Sequence, residues 1–184
     1  FASILLCSAA LVAMDEEAPD PGMPAGEGPP EGAPMMMPPH VGSAELEMLK
    51  GMVGRWEGDQ PMGEDHGKMA VEYHLTANGS AVVERNFPGT PMEMMSVYHD
   101  RGGALTMTHY CMLGNQPRMN LESSGDNQLS MSCDGTGVDD AEAPHMHSLT
   151  IDFNGPDEIS QTWAMLGGDE EHSKDNTTVF HRVE

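Results

Sequence analysis

The sequence predicts an all-β protein: an antiparallel up-and-down β-barrel with a short N-terminal helix, preceded by a disordered Met/Pro/Gly-rich segment. Three observations predict it. Brief runs with alternating apolar residues follow one another from Trp56 to the C-terminus, separated by Gly, Pro, Asn and Asp turns. No helical period interrupts them, so consecutive runs must pair antiparallel rather than through crossovers. A long meander avoids exposed edges best by closing on itself; a sandwich is the second choice.

Composition divides the chain unevenly. Only 38% of the 184 residues are hydrophobic, against about 45–50% in ordinary domains. The deficit is concentrated in 14–42, where eight prolines from Pro19 to Pro39 alternate with Gly and acid. That stretch keeps no period and reads as an acidic linker. Residues 43–184 remain as one domain, long enough for a hydrophobic core.

Ahead of the linker, Phe1 to Ala13 is an apolar run with small residues, Ala10 and Ala13, at the cut expected of a secretory signal whose start is missing. The run is shorter than the roughly 20 residues of a spanning helix, so the mature chain is expected to hold no transmembrane segment. Export to the periplasm or the cell exterior is the expectation. Cys7 follows Leu6 rather than a small residue, which argues against a lipoprotein. Thirty acidic against eight basic residues give a net charge of −22, which repels phosphate backbones and argues against nucleic-acid partners.

Ser43 is placed as a helix N-cap, with Glu45 and Glu47 in the first turns and Leu46, Leu49 and Val53 at helical spacing over 44–52. Gly54-Arg-Trp56-Glu-Gly58 then opens the first strand. Further strands are expected at 69–75, 80–87, 92–99, 104–111, 118–123, 128–133, 145–153, 159–165 and 177–183.

A short helix, then Gly54-x-Trp56-x-Gly58, then a β-meander resembles the calycin superfamily of lipocalins, fatty-acid-binding proteins and nitrobindins. The phrases Leu75–Glu84, Phe87–Pro91, Leu105–Cys111 and Gly114–Met119 resemble uncharacterised exported bacterial proteins of lipocalin-like type. The resemblance covers residues 44–184 and implies a barrel that binds a small ligand. Through the nitrobindins it also implies haem held by a histidine near the C-terminus, a place that His181 matches.

Alternation sets the expected interior. Leu105, Met107, His109 and Cys111 share one face, as do Leu129, Met131 and Cys133. The inward sets on the last three strands are His145, His147, Leu149, Ile151 and Phe153, then Ile159, Trp163 and Met165, then Val179, His181 and Val183. Trp56, Tyr73, Met107, His109 and Cys111 are therefore expected to line a ligand cavity. Met131, His147, Trp163 and His181 join them, with Arg118 at the mouth as a carboxylate anchor or a surface ion pair. An apolar lining with a few polar groups is the usual design of a small-molecule site. The expected partner is a small apolar or amphipathic molecule.

Two other readings stand beside this one: a haem or metal barrel using His109, His147 or His181, and a packed barrel serving as an interaction module. Met35-Met-Met37 with His40 invites copper, because thioether and imidazole suit Cu(I). Neither His-x-x-x-His nor Cys-x-x-Cys is present, and His145-Met-His147 reads as a turn-proximal pair, so no metal site is assigned. There is no Gly-x-Ser-x-Gly elbow, phosphate loop or dinucleotide fingerprint, and the carboxylates read as solvated surface, so no catalytic residue is assigned. Cys111 and Cys133 should sit two strand spacings apart, about 9.6 Å. That exceeds the roughly 7 Å of a disulfide, which favours free thiols.

Overall fold

The computed structural model describes residues 37–59, 67–140, 142–167 and 175–183. The expected signal at 1–13, the linker as far as Met36 and Met35-Met36 of the copper tract lie outside the described residues. Of the expected linker, residues 37–42 are described; there Pro38 O accepts from Asn78 Nδ2 and His40 N donates to Asn78 O.

Helix α1, Ala44–Lys50, starts where the sequence places it. The Ser43 hydroxyl accepts from Leu46 N at 3.1 Å, Glu45 and Glu47 occupy the first turn, and Lys50 the last. Asp100 accepts from both the backbone and the hydroxyl of Ser43, at 2.6 and 2.7 Å, tying the cap to the barrel. Seven residues form no stable helix alone. This one persists because Leu46, Leu49 and the following Met52 are buried in the core.

Ten strands follow: β1 Gly54–Asp59, β2 Lys68–Thr76, β3 Ala81–Asn86, β4 Met94–Arg101, β5 Ala104–Tyr110, β6 Arg118–Gly125, β7 Gln128–Cys133, β8 His145–Gly155, β9 Glu158–Leu166 and β10 Asn176–Val183. Each pairs antiparallel with its sequence neighbour, and β10 pairs with β1, so the sheet is a closed up-and-down barrel. This is the predicted fold class, and it is consistent with a calycin-like architecture. No described helix is long and apolar enough to cross a membrane.

The two ends of the barrel differ. Near α1 the strands are joined by tight turns: a 3₁₀ turn at Ala77–Gly79, Gly102-Gly103, Asp126-Asn127 and Pro156-Asp157. Longer connections, including 87–93, 111–117 and 134–144, gather at the opposite end.

The Gly-x-Trp element closes the helix end. Gly54, at φ 129°, takes a backbone conformation that favours glycine as the chain leaves the helix for β1. Two residues on, the Trp56 indole donates back to Met52 O at 2.8 Å. Arg182 of β10 lies 4.2 Å over that indole and donates to Val53 O and Gly51 O at 2.7 and 2.9 Å. First and last strands are thus locked together beneath the helix.

Strand β10 corrects the expected alternation. Thr178 and Phe180 point inward, whereas Val179 is 44% exposed and His181 lies outside beside Glu158. The register explains the choice. Phe180 pairs with Gly58, and a Cβ on Gly58 would stand 3.1 Å from the Phe180 ring and 2.3 Å from Val179 O. The bare glycine makes room for the largest side chain of β10 and settles which face turns in. Gly58→Ala is accordingly expected to destabilise the protein by about 1–3 kcal/mol through overpacking against backbone, read as a lower urea midpoint at unchanged slope.

Candidate functional site

Strand β3 presents Val82, Glu84 and Asn86 to the interior. Glu84 is fully buried, and its carboxylate is the hub of a polar cluster midway through the barrel. Its Oε1 accepts from Asn86 Nδ2 and from Gln161 Nε2, each at 3.0 Å, and its Oε2 takes the Tyr98 hydroxyl. Gln161 Nε2 also donates to the Tyr73 hydroxyl, and Gln161 Oε1 accepts from the Trp163 indole at 3.3 Å. Burial pushes the Glu84 carboxyl up from its ordinary value, opposed by the donors Tyr98, Gln161 and Asn86. Burial, then the neighbouring Glu84 charge, raises the Tyr73 and Tyr98 phenols well above theirs.

Between this cluster and the long-loop end lies a cavity of about 140 Å³. Its apolar wall includes Met69, Phe87, Met94, Met146, Trp163 and Phe180. Asn86, His109, Gln161, Asn176 and Thr178 supply the polar part. Two polar atoms there are buried without a hydrogen-bond partner: Asn86 Oδ1 and His109 Nε2. The residues themselves are 2% and 1% exposed. A buried polar atom left unpaired costs about 1–3 kcal/mol, which makes this cavity the candidate site.

His109 stands on β5 as alternation predicted. Its Nδ1 is 3.0 Å from the buried Ser96 hydroxyl, and its ring lies 4.9 Å from the Trp163 ring. Burial lowers its pKa from 6.5 to about 4, so the imidazole is neutral at pH 7.

The other expected lining residues separate into groups. Trp56, Tyr73, Met107 and Met131 are buried in the packed part of the barrel, and Cys111 is buried just beyond β5. Only His109 and Trp163 of the expected set line this cavity. Arg118 opens β6 at the long-loop end and forms a surface ion pair, the second of the two roles expected for it. Its neighbour Met119 takes the inward position opposite Met107, so Arg118 turns out and pairs with Asp134 at 2.9 Å. His181 projects outside, as the register of β10 requires. An irregularity between Met146 and Ser148 shifts the alternation of β8. Met146 thereby reaches the cavity, while His145 and His147 line a separate space of about 120 Å³ with Cys133 and Leu166.

The interior-histidine reading therefore keeps His109 alone at the cavity. Its volume is well under the about 300–1,000 Å³ of pockets for drug-sized ligands, which leaves no room for a haem macrocycle. Among the described residues no three His, Cys, Asp or Glu side chains come together as a metal requires. Cys111 and Cys133 are free thiols, as strand spacing predicted.

Sequence reading missed Glu84, Asn86, Ser96, Tyr98 and Gln161. The available signal was parity on β3: Arg85 is a surface residue, held by Glu72 and Glu93, so Glu84 had to face the other way. In comparisons with known proteins the chain matches no family model and no curated protein.

His109 sets a pH dependence. As pH falls from 6.5 towards 4 the unfolded chain takes up a proton that native His109 refuses, so stability is lost over that window. Relative to His109→Phe, which cannot protonate, the wild type should lose up to about 3 kcal/mol there, measured by urea unfolding at pH 7 and pH 4.

Proposed function

We propose that this chain is a binding protein that holds a small apolar or amphipathic molecule in the open end of a lipocalin-like barrel, without converting it. The observation that carries this reading is the 140 Å³ cavity with Asn86 Oδ1 and His109 Nε2 unpaired in an otherwise mostly apolar wall. An apolar cavity of about 150 Å³ is large enough for benzene. The ligand is therefore of about six or seven non-hydrogen atoms, far short of a fatty acid.

Binding is favoured over catalysis by one further detail. Ser96 and His109 are in hydrogen-bond contact, as a nucleophile and its base would be. Ser96 is fully buried behind the imidazole and does not line the cavity, so no substrate held there meets its hydroxyl. Export to the periplasm or the cell exterior belongs to the same proposal, supported by the apolar run from Phe1 to Ala13.

Small neutral molecules such as benzene, phenol and cyclopentanol should raise the melting temperature saturably and shift the Trp163 indole resonance. Met94→Trp, which puts an indole into the cavity, should abolish both effects. Saturable binding of long-chain fatty acid or haem with none of the small molecules would overturn the reading.

A further inference from the structure

Strand β3 stops short of the long-loop end. It pairs with β2 as far as Val71, opposite Asn86, while β2 reaches three residues further, through Ala70, Met69 and Lys68. Strand β4 begins at Met94, opposite the same Asn86. Beyond that point the wall between β2 and β4 is made by the loop 87–93 rather than by strand pairing.

Phe87 fills this gap, against the alternation of its own strand. Val82, Glu84 and Asn86 face inward, so the next residue should face out. Instead Phe87 packs against the core and lines the cavity. The backbone makes the switch: φ at Phe87 is 53°, in the left-handed region that a bulky residue rarely adopts. Its neighbours hold it there. Phe87 N donates to Ala70 O at 3.0 Å, and Phe87 O accepts from Thr90 N and Thr90 Oγ1 at 3.2 and 2.9 Å. Glu93 braces the rest of the loop, accepting from Gly89 N at 2.6 Å and pairing with Arg85 at 2.8 Å. A strained residue persists only where its surroundings over-determine it, as they do here.

On the far side of Phe87 lies a groove of about 490 Å³ along the outer face of β1 and β2, lined also by Arg55, Ala70, Pro88 and Met92. Among the described residues Phe87 alone lines both spaces. Next to it β2 itself divides them, with Met69 facing the cavity and Lys68 and Ala70 the groove. At Phe87 a side chain does what a strand does there.

We infer that the Phe87 ring is the partition between cavity and groove and sets the length of ligand that the barrel admits. With the ring in place an occupant must end within about 140 Å³. Without it, an extended molecule has room to continue into the groove. This rests on the proposed binding site and names the residue that limits its occupant.

Phe87→Gly tests it, because glycine accepts this φ without strain. Cyclopentanol and 1-octanol are titrated by calorimetry into the wild type and the variant. The ratio of octanol to cyclopentanol affinity should rise about tenfold or more in the variant, the effect of burying two further methylene groups. Adding Met94→Trp should then abolish octanol binding, and octanol that still binds lies in the groove alone and overturns the partition. An unchanged ratio in folded Phe87→Gly, with cyclopentanol bound, also overturns it and leaves the cavity reading standing. Should the variant fail to fold, the wild type decides: saturating cyclopentanol should shift the Phe87 ring resonances together with the Trp163 indole, and a Trp163 shift without one at Phe87 overturns the partition. If cyclopentanol binds neither protein, both readings fall.

Discussion

Glu84 occupies a place where a carboxylate is costly: fully buried, inside a barrel, with no basic residue among its hydrogen-bond partners. Burial of a charge is tolerated only when its lone pairs are satisfied, and here two amide nitrogens and a phenol do that. Those donors come from β3, β4 and β9, so one carboxylate ties strands on different parts of the wall. Its contacts also hold the side chains of Asn86, Gln161 and Tyr98 in place. The polar character of the cavity is thus decided one layer below its surface, which is how a small site keeps a fixed donor and acceptor pattern.

The barrel can carry this cost because its other end is closed firmly. Leu46, Leu49, Met52 and Trp56 fill that end, and Arg182 binds the chain of the helix–strand corner from the far edge of the sheet. Ten-strand closure removes every open edge, so the hydrogen-bond ladder does not depend on what occupies the opposite end. Tight turns at the helix end and longer connections at the other follow the same division.

The fold was legible because strand length, turn chemistry and closure are all local or topological signals. Alternation on β5 put Leu105, Met107 and His109 on one face without ambiguity, since threonines took the other face. On β10 the same rule failed. Val179 and Val183 outvote Phe180 in a count of apolar residues, and only the pairing of Phe180 with Gly58 across the seam reverses the outcome. On β8 an irregularity between Met146 and Ser148 changes the parity part-way along the strand, which no alternating count can see. Glu84 was hidden among thirty acidic residues, most plausible as solvated charge, in a strand where both faces carry apolar and polar side chains.

These misses share a cause that bears on function. Stability alone would favour apolar side chains at 84, 86 and 109, since a packed apolar core matches or exceeds a buried polar cluster in stability. Instead the interior carries a carboxylate, two amides, two phenols and an imidazole, and leaves two atoms of that set unpaired toward a cavity. Buried polar residues where apolar ones would pack as well are the kind of local inconsistency that accompanies functional sites. An occupant that hydrogen-bonds Asn86 Oδ1 and His109 Nε2 would offset the cost of leaving them unpaired.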